Sequence, residues 1–293
     1  MVDRKEKERA EELVRLLQAS RPLIARDLPW INHPDPWAIY VSEVMLQQTQ
    51  VARVVEPWRA FLQRFSTPTA LAKAPLAEVL VAWQGLGFSR RARFLHEAAK
   101  VMVEEYGGSV PRTLEELRAL PGIGEYSAAS IASFAFGEPV VVLDTNVARI
   151  FSRSLAGRTL SIGELRDIAR SFGDSKQSAV LNQSLLDFGA KFCRAKPECN
   201  ECPAKSWCAW KKRGGEDPAP NSAKVSKPQS PFVGSRRQVR GQILKALNQG
   251  PVSKRALAKD VPDSRRLEVL NELLEEGMVE VIGHAVRLSG DSR

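Results

Sequence analysis

The chain has four cysteines, Cys193, Cys199, Cys202 and Cys208, separated by five, two and five residues. Four thiolates at such short spacing suit a tetrahedral zinc ion or a [4Fe-4S] cluster, and the spacing alone leaves both open. Gathered in one short segment they are not scattered disulfide staples, and a cytosolic chain keeps such thiols reduced. Arg194, Lys196 and Lys205 lie between them, so a bound metal would fix a basic loop able to press on phosphates. Two carboxylates stand out for opposite reasons. Glu43 falls within residues 37–50, read as a largely buried helix because Trp37, Ile39, Val41, Val44, Met45 and Leu46 leave it little polar face. With Ile39, Tyr40, Leu46 and Gln47 one turn away, its carboxyl faces a shielded site and resists ionisation. That suits a general acid, and it equally suits a buried structural glutamate bonded to a backbone end or an arginine. Asp144 precedes the helix that Leu143-Asp144-Thr145-Asn146-Val147 opens. It reads first as an N-cap, and a carboxylate there remains ionised beside the helix dipole.

A third motif, Leu120-Pro121-Gly122-Ile123-Gly124, lies between the helix-like stretches 114–119 and 126–136 and reads as a helix-hairpin-helix. Its glycines allow close backbone approach, and its N–H groups with the following helix N-terminus can bind a phosphate oxygen. A Gly-x-Gly turn between helices is also often only a tight turn.

Helices must position all of these groups. From residue 6 to about 188 one amphipathic segment follows another, broken at Pro or Gly, which predicts an all-α core. No long stretch alternates with period two, and the valine-rich residues 140–143 are too few for a sheet, so the pattern argues against a parallel α/β architecture. The expected domains are a helical core with its cysteine loop over 1–210, a flexible basic linker over 211–235, and a small module over 236–293. The stretch 214–234 carries Pro218, Pro220, Pro228 and Pro231 among Ser, Lys and Gly with almost nothing apolar to bury. Residues 238–248, 254–260 and 264–276 read as helices, and residues 277–288 as a β-hairpin turning at Gly283-His284. Three helices and a hairpin resemble a winged helix. Arg265 and Arg266 begin its third helix as a DNA reader would, but Glu268, Glu272, Glu275 and Glu276 make that helix acidic further on, which suits a protein partner or a structural role equally.

The whole chain has 293 residues with 43 Lys and Arg against 34 Asp and Glu, a formal charge of +9. From Lys211 onward 16 basic residues meet 10 acidic ones. Such an excess favours a polyanionic partner, with nucleic acid first, and assigns the tail a part in non-specific affinity. No apolar run approaches the roughly twenty residues that span a bilayer, and the charged amphipathic opening is unlike a signal peptide. A cytoplasmic, nucleoid-associated monomer is expected.

Taken in order, these motifs resemble the MutY-type adenine DNA glycosylase branch of the endonuclease III (helix-hairpin-helix, Gly/Pro-Asp) superfamily, over residues 26–208. The resemblance is carried by Arg26-Asp27-Leu28-Pro29-Trp30 and by Val41-Ser42-Glu43-Val44-Met45-Leu46-Gln47-Gln48-Thr49-Gln50-Val51. Gly85-Leu86-Gly87, Arg91-Ala92-Arg93, Leu95-His96, the hairpin, the Asp144 motif, Asn182-Gln183 and the cysteines follow in the family's order. It implies a two-lobed helical core with a [4Fe-4S] loop at the four cysteines. It also implies removal of adenine opposite 8-oxoguanine or guanine in double-stranded DNA, with Glu43 protonating the base and Asp144 supporting the sugar cation. This is the two-carboxylate route to glycosidic cleavage. Tyr126 and Asn146 then assist Asp144. Arg26, Leu28, Trp30, Val51 and Gln183 line the adenine pocket, Gln48 and Phe88 fill the gap left by the flipped base, and Gly122 and Gly124 hold phosphate. Tyr126 stands where bifunctional relatives carry a Schiff-base lysine, so hydrolysis without efficient strand cleavage follows.

The chain also departs from the family's pattern. The first cysteine interval is five rather than six, Phe88-Ser89 replaces a Tyr-Tyr pair, Thr145 takes a glycine position, and Ile31 a position sometimes arginine. The winged-helix-like module stands where a Nudix-like domain that recognises 8-oxoguanine is usual. Three other readings are a thymine glycosylase acting on G·T mismatches, a lyase-competent endonuclease III relative, which Tyr126 argues against, and a non-catalytic iron-sulfur DNA-binding regulator with a protein partner at the tail.

Overall fold

The computed structural model describes residues 3–172, 178–226 and 229–292. Its helices are α1 (Arg4–Ile24), α2 (Pro36–Leu46), α3 (Val55–Arg64), α4 (Pro68–Lys73), α5 (Leu76–Ala82), α6 (Arg90–Tyr106), α7 (Leu114–Ala119), α8 (Glu125–Phe136), α9 (Thr145–Ile150), α10 (Ile162–Arg170), α11 (Ser178–Lys191), α12 (Ala209–Arg213), α13 (Arg236–Ala246), α14 (Lys254–Asp260) and α15 (Arg266–Glu275). Three short strands follow the same order of appearance, β1 (Val252–Ser253) before α14 and β2 (Val279–Ile282) and β3 (Ala285–Leu288) after α15. The chain forms two compact units, one from Met1–Asn32 with Gly124–Pro228 and one from His33–Ile123 with Gln229–Arg293. No described helix is long and apolar enough to cross a membrane.

In the first unit, α1 buries Leu13, Leu17 and Ile24 along one stripe, packed in a common core with Val147, Ile150, Phe151, Leu165, Ile168, Leu185 and Phe188. The helical spacing of the α1 residues creates that face, and the Asp3–Glu6 capping box starts the helix. α9 continues into a π-helical turn, Phe151–Ala156. The irregular backbone before α9 takes its hydrogen bonds from a side chain rather than from a sheet. Asn182 of α11 accepts from the Val142 amide at 3.0 Å and donates to the Val140 carbonyl at 2.7 Å and to Ser133 Oγ at 2.8 Å.

The segment expected to be a flexible linker behaves differently over its first part. Asp217 forms a two-pronged pair with Arg153 (2.9 and 2.6 Å), Ala219 and Ser222 are buried, and the Ala223 amide donates to the Leu160 carbonyl at 2.9 Å. The prolines that removed its helical signal leave a run of turns and bends. Polar anchoring to the π-turn, which no hydropathy pattern reports, fastens it to the unit. Residues 227 and 228 of this stretch lie outside the described residues.

In the second unit, Trp58, Phe61, Phe65, Trp83, Leu95 and Met102 fill the core, with Phe61 in tilted contact with Phe65 and edge-on to Trp83. α2 is apolar all round, and every residue from Trp37 to Met45 is buried. Asp35 caps its start by accepting from the Trp37 amide at 2.9 Å, and Pro36 occupies the first turn, where its missing N–H costs nothing. The helix stops at Leu46, short of the expected residue 50, because Gln48 takes a left-handed backbone (φ 56°) and a buried arginine captures the last carbonyls. Arg91 donates to the carbonyls of Val44 (2.9 Å), Met45 (2.7 Å), Leu86 (3.2 Å) and Gly87 (3.0 Å) and to Thr49 Oγ1 (2.9 Å).

The tail's α13, α14, α15, β2 and β3 fall close to where the sequence puts them, and β3 is the middle strand of a sheet ordered β1-β3-β2 with antiparallel pairings. The two-residue β1 escaped notice because so short a strand has no readable period. By its contacts the tail belongs to the same unit as residues 33–123. The Ala77 amide donates to the Ser289 carbonyl at 3.0 Å, and Glu276 receives Arg90 and Arg240.

Replacing Arg91 by Lys keeps the charge but supplies one ammonium where a planar fork serves five acceptors. We expect a loss of about 2–4 kcal/mol of stability from the carbonyls left unpaired, read as a fall in denaturation midpoint. A midpoint equal to wild type would show that the loops close without this tie.

Candidate active site

Asp144 is the N-cap of α9. Its Oδ1 accepts from the Val147 amide and its Oδ2 from Asn146 Nδ2, both at 2.7 Å. Arg149 donates to Asn146 Oδ1, and its Nε donates to the Cys193 carbonyl at 2.8 Å. A hydrogen-bonded chain therefore runs from Asp144 through Asn146 and Arg149 to the first residue of the cysteine segment. Burial pushes the Asp144 carboxyl up, while the Val147 amide, Asn146 and the Arg149 charge pull it down, and the net direction is upward. The cap expected from the sequence is present at Asp144, and desolvation adds an upward pull on the carboxyl that the sequence did not show.

Opposite α9, α11 brings a glycine. A Cβ on Gly189 would stand 2.5 Å from the Asn146 Cβ, so only glycine permits this separation. Two residues earlier Asp187 accepts from Arg26 Nε at 2.6 Å and from Gln183 Nε2 at 2.8 Å. Two residues assigned to the adenine pocket, Arg26 and Gln183, thus meet on one buried carboxylate that sequence reasoning passed over. The signal was present in the i, i+4 spacing of Gln183 and Asp187 on α11. Trp30 is buried and Leu28 half-buried in the same unit, and Tyr126 is half-buried in the first turn of α8.

In the second unit Glu43 lies on α2 and is only 6 % exposed, while Val51 opens a short 3₁₀ turn, Val51–Arg53, and is half-buried. Gln48 and Phe88 occupy two loops stapled together. Thr49 Oγ1 donates to the Leu86 carbonyl at 3.3 Å, Arg53 donates to the Gly85 carbonyl, and Trp83 Nε1 donates to the Gly87 carbonyl at 3.1 Å. Both carry positive φ, 56° for Gln48 and 48° for Phe88. Such conformations are costly for residues with side chains and persist where the surroundings impose them. Arg91 lies over the Trp83 and Phe88 rings, 5.2 and 5.5 Å from their centroids. Burial, and secondly Arg53, lower its guanidinium to about 10, leaving it charged at neutral pH.

The hairpin turn joins α7 to α8. Gly122 has φ 77°, and a Cβ there would meet Phe94 Cβ at 2.7 Å, so both conformation and space demand glycine. Gly124 has ordinary φ and open space around its Cβ position, so the expectation that both glycines serve close approach holds for Gly122 alone.

The four cysteines are free thiols. Burial pushes Cys193, Cys202 and Cys208 up, Cys202 to about 11, with the other three cysteines adding to the rise at Cys202. Thiols close enough to raise one another suit a shared cation, which would supply the missing positive charge. Among the described residues no group of three or more His, Cys, Asp and Glu side chains is already arranged to hold a metal ion. Arg153, which donates to the carbonyls of Arg194 (2.6 Å) and Ala195 (3.1 Å), and Asp217 organise the start of this segment. The sequence reading saw the loop's own cations and missed these two.

A helical chain with a glycine hairpin, a buried glutamate and an aspartate at a helix start has the parts of a helix-hairpin-helix DNA glycosylase, and residues 41–166 match the family described as HhH-GPD superfamily base excision DNA repair protein. Over 267 residues the chain is 40% identical to the adenine DNA glycosylase of Mycolicibacterium smegmatis, covering 87% of this chain and 88% of the relative. A thermostable thymine-DNA glycosylase superposes with TM-score 0.65 at 26% identity, covering 71% of this chain and 98% of that one. Endonuclease III trapped as a covalent intermediate with DNA superposes with TM-score 0.63 at 25% identity, covering 73% and 99%. The chain belongs to the MutY-type adenine DNA glycosylase family within the endonuclease III superfamily, and its enzyme class is DNA glycosylase.

Gly189→Ala tests the α9–α11 contact. The added methyl forces Asn146 and its Asp144 bond to shift at a cost of about 1–3 kcal/mol, so we expect a lower denaturation midpoint and at least tenfold slower single-turnover base release. Wild-type values for both would mean that α11 yields without disturbing the aspartate.

Proposed function

We propose that this chain is a monofunctional adenine DNA glycosylase of base excision repair, hydrolysing the N-glycosidic bond of adenine opposite 8-oxoguanine or guanine in double-stranded DNA. The observation that carries this reading is the 40% identity to an adenine DNA glycosylase over nearly the whole of both chains. Glu43, buried on an apolar helix, is the acid that gives its proton to adenine N7. The C1′–N9 bond then breaks with its electron pair leaving on the base, and water adds to C1′ of the oxocarbenium ion, losing a proton. Asp144 supports the sugar cation. A carboxylate already denied much of its hydration and held by Val147, Asn146 and Arg149 gains more from a cation forming beside it than a solvated one. Tyr126 and Asn146 assist at this carboxylate. A phenol at Tyr126 forms no Schiff base, so the sugar–phosphate strand is left intact.

Arg26, Leu28, Trp30, Val51 and Gln183 are assigned to the adenine pocket, with Asp187 orienting Arg26 and Gln183. Gln48 and Phe88 take the space of the extruded base, and the Gly122 and Gly124 turn holds phosphate at the start of α8. Cys193, Cys199, Cys202 and Cys208 would ligate a [4Fe-4S] cluster that fixes the basic loop. The tail is a winged-helix-like module.

Single-turnover assays with duplexes carrying A opposite 8-oxoguanine, A opposite G, and T opposite G test the reading. Adenine release detected only after alkali, and lost by at least a hundredfold in Glu43→Gln, is expected. The likeness to a thymine-DNA glycosylase structure supports a second reading, which release of thymine alone would establish; binding without release of any base would favour a regulator. For the cysteines, anaerobically purified protein should be brown, with about four irons per chain, and each Cys→Ser variant should bleach it. A colourless protein with one zinc per chain would replace the cluster by a tetrahedral site.

A further inference from the structure

A groove of about 560 Å³ lies within the second unit, between the stapled loops and the tail. Phe88 and Phe94 line one side, Gln47 and Gln48 one end, and α13 supplies Arg237, Arg240 and Lys245 on the other. The cations around it divide into two kinds. Arg90 and Arg240 converge on Glu276, Arg93 donates to the Glu276 carbonyl at 2.6 Å, and Arg236 is paired with Glu268 and Glu272. Their charge is spent on fastening α13 and the end of α15 to α6. Arg237 and Lys245 have no carboxylate partner among the described residues. Arg237 is instead held by Gln229 Oε1 (2.8 Å) and the Ser230 carbonyl (2.6 Å), with its guanidinium 5.4 Å from the centre of the Phe88 ring.

The fastening and the free charge meet at the strained loop. Arg240 Nε donates to Ser89 Oγ at 2.9 Å, next to Phe88, and Gln229 Nε2 donates to Gln48 Oε1 at 3.4 Å. Gln229 of the linker and Arg237 of α13 thus touch the two residues with left-handed backbones in these loops, and Arg91 and Arg237 both lie within 5.5 Å of the Phe88 ring centroid. We propose that α13 and the Gln48 and Phe88 loops form one DNA-binding surface, in which Arg237 and Lys245 contact backbone phosphates of duplex DNA and Arg237 also holds Phe88 in position. A phosphodiester backbone is the occupant because it needs fixed cations and tolerates the aromatic side wall. Arginine serves at position 237 because one planar group can stack on the ring and still present N–H donors at its edge. The inference rests on the DNA glycosylase reading and extends it to a segment beyond residues 41–166, which match the family model.

The test uses the full chain and a fluorescent duplex carrying A opposite 8-oxoguanine, with affinity measured across a salt series. Arg237→Ala and Lys245→Ala should each weaken binding roughly three- to tenfold and lower the slope of log affinity against log salt by about one. Lys259→Ala, an exposed lysine of the same module outside the groove lining, should change neither. Arg237→Lys should keep the salt slope and slow single-turnover base release at least threefold, since it keeps the charge and loses the stacking. Wild-type affinity and slope in both alanine variants, with unchanged denaturation midpoints, would overturn the proposal and leave the groove to an acidic protein segment. Failure of the wild-type chain to bind or cleave any duplex would instead overturn the functional reading.

Discussion

Arg91 ties together the parts of the second unit that the proposed chemistry uses. Its guanidinium is buried, yet it faces four carbonyls and a hydroxyl rather than a carboxylate. A helix end leaves carbonyls without partners, and a loop that turns through left-handed residues leaves more. One planar fork answers both needs at once, closing α2 two residues before Gln48 and holding the Phe88 loop against it. A charge buried without a counter-ion is expensive, which is why its pKa falls toward 10, but five donated hydrogen bonds and two aromatic faces replace the lost water. The strained backbones at Gln48 and Phe88 persist because this hub leaves them no other arrangement.

The first unit solves a related problem around Asp144. Its carboxylate is partly desolvated, and the structure compensates with an amide, an amide side chain and a nearby guanidinium instead of a direct salt bridge. A direct Arg–Asp pair would spend the carboxylate's charge on a permanent partner. Routing Arg149 through Asn146 leaves that charge available, and the same arginine reaches the Cys193 carbonyl. The cysteine segment and the proposed catalytic carboxylate therefore share a support, so a metal that orders the segment would also steady Asp144. Gly189 is the steric condition for this arrangement, since any larger residue would stand in Asn146.

Much of this was legible in the sequence, and the reasons for success and failure differ by residue. The burial of Glu43 followed from apolar neighbours one helical turn away, the cap at Asp144 from residue type and position, and the tail's helices and hairpin from periodicity and a Gly turn. These are local properties, encoded within a few residues. Arg153 and Asp217 were missed because they meet only in the fold, 64 residues apart, and Asp187 and Arg149, though each has one partner within a helical turn, were missed because their other partners, Arg26 and Cys193, lie 161 and 44 residues away. The linker was misread for the same reason, since polar anchoring leaves no hydropathy trace.

By itself, then, the sequence determined which segments become helices, which carboxylates and thiols are available, and, through the motif order, the family. Tertiary structure decided where the electrostatics fall. It pushed the Asp144 carboxyl upward, left no room for a side chain at Gly122 but room at Gly124, paired Arg236, Arg240, Arg265 and Arg287 with carboxylates and, among the described residues, left Arg237 and Lys245 without one. Helix formation depends on neighbours a turn away, whereas desolvation, charge pairing and close approach depend on whatever chain happens to be packed opposite, and only the folded molecule fixes that.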